Sequence, residues 1–248
     1  MRPPARRSEI RPTRWAHDRR YRASQPHGEK LGFVSDAEHG DLAYVAAPNG
    51  GHGPPVLVLH SWWGLTPSFT EFADDLAARG FLVGCADLYD GLVAQTELEA
   101  RRLRARHGEP VYKRLRRCLR AFSEFEQAAD TAPAVIGFSM GGHWAIWLAQ
   151  HPDQSVAAVV LYYAARGGDF SAATAPVLAH FAETDDFVSA SSRRAMERAI
   201  TARGLHYTAH EYPGTEHWFA ESAEATFAPG AAALALDRTA SFLASTSR

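Results

Sequence analysis

A chain of 248 residues in which 46% are hydrophobic can bury one sizeable core, so a single domain is expected. Charged residues make up 22% and the formal net charge is -2. That balance gives no electrostatic basis for binding nucleic acid, an anionic membrane or a polyanionic substrate, and it leaves a small molecule as the expected partner. Cys85 and Cys118 are the only cysteines, and each lies inside an ordinary strand or helix pattern, so a reducing compartment is expected. No apolar run reaches the roughly 18 residues of a membrane span, and Met1-Arg2-Pro3-Pro4 leads into arginines, which points to the cytoplasm.

Residues 1–30 form a basic extension with little to bury, read as a flexible tail, and the interpreted domain runs from Leu31 to the end. Gly32-Phe33-Val34 and the alternation of Leu42-Ala43-Tyr44-Val45-Ala46 predict an opening hairpin that closes at Asn49-Gly50-Gly51. Val56-Leu57-Val58-Leu59 is uninterruptedly apolar, as in a strand buried on both faces. Phe69, Phe72, Ala73, Leu76 and Ala77 then recur at helical spacing up to a stop at Gly80, and a second buried strand follows over 81–86. The stretch 96–127 predicts helices broken at Gly108-Glu109-Pro110, with Arg114, Arg116, Arg117 and Arg120 on a solvated face. Further strands are expected over 134–136, 156–162, 177–181 and 205–212, with helices ending at His151-Pro152 and over 191–203 and 231–243. This alternation implies an α/β fold: a mostly parallel central sheet with helices on both faces.

Gly137-Phe138-Ser139-Met140-Gly141-Gly142 lies between a short buried strand and an apolar helix, the setting in which a G-x-S-x-G pattern carries meaning. The small neighbours allow a strained turn that lifts the Ser139 hydroxyl above the sheet. At a helix N-terminus, unpaired N–H groups favour the negative charge that forms during acyl transfer, and Met140 is expected to donate one of them. A serine is a poor nucleophile without a base, so a carboxylate and a histidine must follow in chain order. Asp185 comes after the strand ending near Ala182, with Asp186 as its rival. Asp185 is preferred because Val188, three residues on, can pack the loop back. His217 follows the last strand through Pro213-Gly214-Thr215-Glu216.

Among the 12 histidines, His60 is the nearest competitor. It ends a strand before Ser61-Trp62-Trp63-Gly64 and is read more readily as a brace for that loop than as a substrate contact. His143 faces its helix neighbours. His206 and His210 are roughly 13 Å apart along one strand face, too far to share an ion, so no metal and no cofactor are expected.

These segments resemble the dienelactone hydrolase family, a branch of the α/β hydrolases. The resemblance is carried by Val58-Leu59-His60-Ser61-Trp62-Trp63-Gly64-Leu65, Ala86-Asp87-Leu88-Tyr89, the 137–142 turn, Asp185-Asp186-Phe187-Val188 and Glu216-His217-Trp218-Phe219-Ala220. It implies the α/β-hydrolase fold, a triad of Ser139, Asp185 and His217, and an oxyanion site from the backbone N–H groups of Met140 and Trp62. The name-giving members carry cysteine in place of Ser139, glutamate in place of Ser61, and substrate-binding arginines where this chain has Gly91 and Glu221. A carboxylate beside Glu221 is repelled, which turns the expectation away from a dienelactone acid. Ser61, Trp63, Tyr89 and Trp218 are expected to line the substrate pocket with few fixed charges, and Phe219 to cover the core. An uncharged small-molecule ester fits such walls. The same machinery serves thioesters and lactones, and a silent binding module of this fold is the alternative of a different class.

Overall fold

The structure, a computed structural model, describes residues 30–32, 42–106, 108–123, 128–151, 153 and 155–246. The basic extension, apart from Lys30, and the Phe33-Val34 part of the opening hairpin lie outside the described residues. Strands β1 (Lys30–Gly32), β2 (Leu42–Ala46), β3 (Pro55–Leu59), β4 (Leu82–Ala86), β5 (Ala134–Phe138), β6 (Val159–Tyr162), β7 (Val177–Ala182) and β8 (Tyr207–Tyr212) form one sheet in the order β1-β2-β4-β3-β5-β6-β7-β8. Pairings from β4 through β8 are parallel. β2 runs antiparallel to β4, and β1 antiparallel to β2. Lys30, placed with the extension by composition, pairs with Ala46.

Strand alternation divides the core into two layers. Val56, Val58, Ile136, Phe138 and Val160 point to the face covered by helices α1 (Pro67–Ala77) and α6 (Pro229–Thr246). Leu57, Leu59, Val135, Val159 and Leu161 point to the other face, under α2 (Glu97–Arg106), α3 (Gly108–Ser123), α4 (Met140–Ala149) and α5 (Ala190–Thr201). Strands that feed both layers have no polar face, which is why β3 to β7 read as continuous apolar runs. The result is the α/β-hydrolase fold.

Helix α1 takes the form its spacing predicts: Pro67 sits in its first turn, Phe69, Phe72 and Leu76 are buried, and Gly80 follows at φ +100. Two boundaries differ from expectation. Gly108-Glu109-Pro110 opens α3 instead of separating two helices, because a proline in a first turn removes no helix hydrogen bond. β6 begins only at Val159; before it, the Ala157 N–H donates to the Pro133 carbonyl and the Val135 N–H to the Ala158 carbonyl, continuing the parallel pairing with β5. Arg114 is also not simply solvated, since its guanidinium donates to the Asp87 carbonyl and pairs with Asp90, tying α3 to the β4 exit.

The chain leaves β3 toward β4 on one side and later resumes at β5 on the other. That switch opens a crevice at the C-terminal ends of β3 and β5, where ligands of open α/β sheets bind.

Candidate active site

Every residue at the crevice arrives on a strand exit. β5 ends at Phe138, and the next residue turns into α4 with φ 50 and ψ -110 at Ser139, a left-handed conformation costly for a side chain. The turn is tight enough that a Cβ on Gly137 would lie 2.3 Å from the Gly141 carbonyl oxygen, and one on Gly141 would lie 2.2 Å from the Leu59 carbonyl oxygen. Only glycine fits at either position. The Ser139 N–H donates to the Tyr162 carbonyl at 2.9 Å, while the Ser139 carbonyl accepts from Gly142 and His143 to start the helix.

The Ser139 Oγ lies 2.9 Å from His217 Nε2. On the other side of the ring, His217 Nδ1 is 2.9 Å from both carboxylate oxygens of Asp185. Asp185 is held in turn: its Oδ1 accepts the N–H groups of Phe187 and Val188, each at 2.9 Å, and its side chain is fully buried. Asp186, the sequence rival, is exposed. Asp185 on one side and Ser139 on the other leave the imidazole one orientation, with Nδ1–H toward the carboxylate and the Nε2 lone pair toward the serine. Among the described residues no acceptor takes the backbone N–H of Met140 or Trp62. Met140 opens α4, whose dipole adds partial positive charge there.

His60 is fully buried. Its Nδ1–H donates to the Ser61 carbonyl at 2.6 Å and its Nε2 accepts the Leu88 N–H at 3.0 Å, which fixes a neutral ring as the brace between the 60–64 loop and the β4 exit. His143, one turn into α4, meets the Arg166 guanidinium; burial, then Arg166 and Arg104, push its pKa down to about 4. Among the described residues no group of three His, Cys, Asp or Glu side chains comes together as a metal site. No helix among them is long and apolar enough to cross a membrane.

The expected pocket residues divide. Trp63 and Trp218 are half-buried and meet each other, at 5.5 Å between ring centroids. Trp62 stacks on Trp218 at 5.9 Å, and His217 lies 4.7 Å from Trp218. Tyr89 and Ser61 are not open walls. Tyr89 is buried with its hydroxyl on the Met140 sulfur at 3.1 Å, and Ser61 is fully buried with its hydroxyl donated to Glu221 at 2.8 Å. Phe219 is fully buried in the core layer under α6. Glu221 itself is 1% exposed, so it offers no charged surface to repel a substrate. Cations do stand near these groups: the Arg101 guanidinium carbon lies 5.7 Å from the Trp62 ring, and Arg166 stands beside His143.

Sequence reasoning passed over two residues. Tyr163, in a left-handed conformation at φ 39 just past β6, lays its ring 4.9 Å from that of His217. Phe187, 49% exposed, covers the same imidazole at 4.7 Å. Both could have been sought at strand exits, where Tyr163 follows the Val159–Tyr162 run directly and Phe187 stands two residues past Asp185.

Residues 42–247 match the family model described as the dienelactone hydrolase family. The chain is 33% identical over 221 residues to an Azospirillum brasilense protein assigned by name to the carboxymethylenebutenolidases, covering 81% of this chain and 91% of that one. It is 29% identical over 228 residues to the carboxymethylenebutenolidase of Pseudomonas sp. (strain P51), covering 86% and 94%. The crystal structure of a dienelactone hydrolase-like promiscuous phosphotriesterase from metagenomic libraries superposes with a TM-score of 0.73 at 19% identity, covering 88% of this chain and 98% of that one.

Proposed function

The chain belongs to the dienelactone hydrolase family, and from that premise we propose that it is a serine hydrolase that cleaves a small ester through an acyl-serine intermediate. One observation carries the reading: the serine hydroxyl, the imidazole and a buried carboxylate stand in a single line of contacts, each 2.9 Å long. Such a line serves nucleophilic catalysis, and a packing role would not require the strained backbone at Ser139.

His217 Nε2 takes the hydroxyl proton as Ser139 Oγ attacks the ester carbonyl carbon. Asp185 stabilises the imidazolium that forms, and the carbonyl oxygen becomes an oxyanion that receives the Met140 and Trp62 N–H groups. Collapse of the tetrahedral intermediate expels the alkoxide, which takes the proton from His217. Water, deprotonated by the same imidazole, then attacks the acyl-serine; the acid leaves and Ser139 regains its proton. The rings of Trp63, Trp218 and Phe187 offer apolar contact to the acyl or alcohol group.

A fluorophosphonate probe, which phosphonylates an activated serine, is expected to label the wild-type protein and to leave Ser139→Ala unlabelled. Hydrolysis of a series of aryl esters of rising acyl length is expected to fall by on the order of 10⁶-fold in the same variant. Equal labelling of the two proteins refutes the proposal. Running thioester and lactone series alongside separates the leaving-group classes that this machinery can serve.

A further inference from the structure

Glu221 is a carboxyl group with no role in the chemistry above, yet it sits at the junction of three loops that carry that chemistry. Its Oε2 accepts the Ser61 hydroxyl at 2.8 Å and its Oε1 accepts the Tyr163 hydroxyl at 2.9 Å. Its own backbone N–H closes the turn after His217 by donating to the Trp218 carbonyl at 2.9 Å. Ser61 immediately precedes Trp62, and its Oγ also receives the Trp63 N–H at 3.5 Å. Tyr163 packs its ring on His217. One carboxyl group therefore links the loop bearing an oxyanion N–H, the β6 exit and the histidine loop.

We propose that Glu221 is a positioning residue: its carboxylate, by accepting two hydroxyls at once, holds the Trp62 N–H and the His217 ring in the geometry that the tetrahedral intermediate requires. This rests on the serine-hydrolase reading above. Only the ionised form can do it fully. A neutral carboxyl group must donate its own hydrogen to one of the two hydroxyls, and that hydroxyl then has a hydrogen with no other acceptor in a fully buried place.

The groups facing Glu221 make this equilibrium accessible. Ser61 comes from the 60–64 loop, Tyr163 from the β6 exit, and Glu224 from its own turn. Among the described residues no arginine, lysine or histidine side chain hydrogen-bonds to it. Burial pushes its pKa up to about 8, the two hydroxyl donors pull it down, and the Glu224 charge raises it. The Tyr163 phenol, buried beside this carboxyl, is held well above its ordinary range and stays neutral.

The test is the pH dependence of aryl-ester hydrolysis in wild type, Glu221→Gln and Ser61→Ala, with fluorophosphonate labelling of each. Wild type is expected to show, above any rise at lower pH, a second rise in kcat near pH 8. Glu221→Gln is expected to lose that second rise and to drop kcat by about 10-fold to 100-fold with a smaller change in KM, the scale of a small displacement of reacting groups. Ser61→Ala keeps the titrating group but loses one donor to the carboxylate, so its second rise is expected to move to higher pH. That variant also decides the matter should Glu221→Gln not fold. A Glu221→Gln profile superimposable on wild type, or a second rise unmoved in Ser61→Ala, overturns the proposal. Absence of labelling in wild type instead overturns the parent reading.

Discussion

At the scale of single residues, the site depends on two missing side chains as much as on those present. Ser139 can hold φ 50 only while Gly137 and Gly141 let the β5–α4 turn close on itself and on β3. In Gly141→Ala the new methyl would meet the Leu59 and His60 carbonyl oxygens at 2.2 and 2.6 Å, and both are backbone atoms that cannot rotate away. The start of α4 must then lift from β3 and carry the serine off His217. Urea denaturation is expected to show a loss of more than about 2 kcal/mol, with hydrolase activity falling further than stability does. Gly230→Ala is the matched control. It lies in the first turn of α6 with open space around it, and there alanine is expected to be neutral or stabilising by up to about 1 kcal/mol. If both variants unfold alike, close approach at the turn is not what selects glycine.

At the scale of elements, strand exits are held together by side chains that bridge them, and His60 is the clearest case. Its two ring nitrogens satisfy the Ser61 carbonyl and the Leu88 N–H, both in buried backbone. His60→Ala orphans both groups and opens a cavity, so it is expected to cost roughly 3–5 kcal/mol by urea denaturation; a cost under about 1 kcal/mol would show that the ring braces nothing. This bracing was readable because a histidine closing a buried strand has a backbone-bonding role open to it. The strands were readable too: β3, β4, β5 and β7 feed apolar layers on both sides, and that leaves an unmistakable run of Val, Leu, Ile and Ala. Ser139 announced itself through local glycines, and His217 through its place after the last strand. The Ser61–Glu221 contact left no such trace. Its partners are 160 residues apart, and a glutamate two residues past a buried phenylalanine looks like a surface residue until tertiary packing encloses it. The same distance effect hid Tyr163, whose significance comes from the ring it covers.

For the molecule as a whole, burial of ionisable groups gives stability a pH dependence that separates into two opposed parts. His180 on β7 is fully buried and joins three elements: its Nδ1 is 2.7 Å from the Tyr212 hydroxyl on β8 and its Nε2 is 3.0 Å from Thr239 Oγ1 on α6. Burial, aided by His210 and Arg238, holds its pKa well below the ordinary 6.5, and burial lowers that of His143 to about 4. Below pH 6.5 the unfolded chain takes up protons that the folded one refuses, so these rings favour unfolding as the solution is acidified. Glu221 works in the other direction. With its folded pKa raised from 4.5 to about 8, the native state keeps a proton that the unfolded chain releases; its contribution is complete below pH 4.5 and is lost as pH rises toward 8. The two slopes oppose each other between pH 4.5 and 6.5, and above that range the loss from Glu221 continues. Wild-type protein is therefore expected to lose stability in urea between pH 6.5 and 8.5. Glu221→Gln, with nothing to ionise there, is expected to hold level over the same interval while keeping the acid-side decline. Parallel losses in the two proteins above pH 6.5 would mean that some group other than the Glu221 carboxyl group sets the alkaline limit.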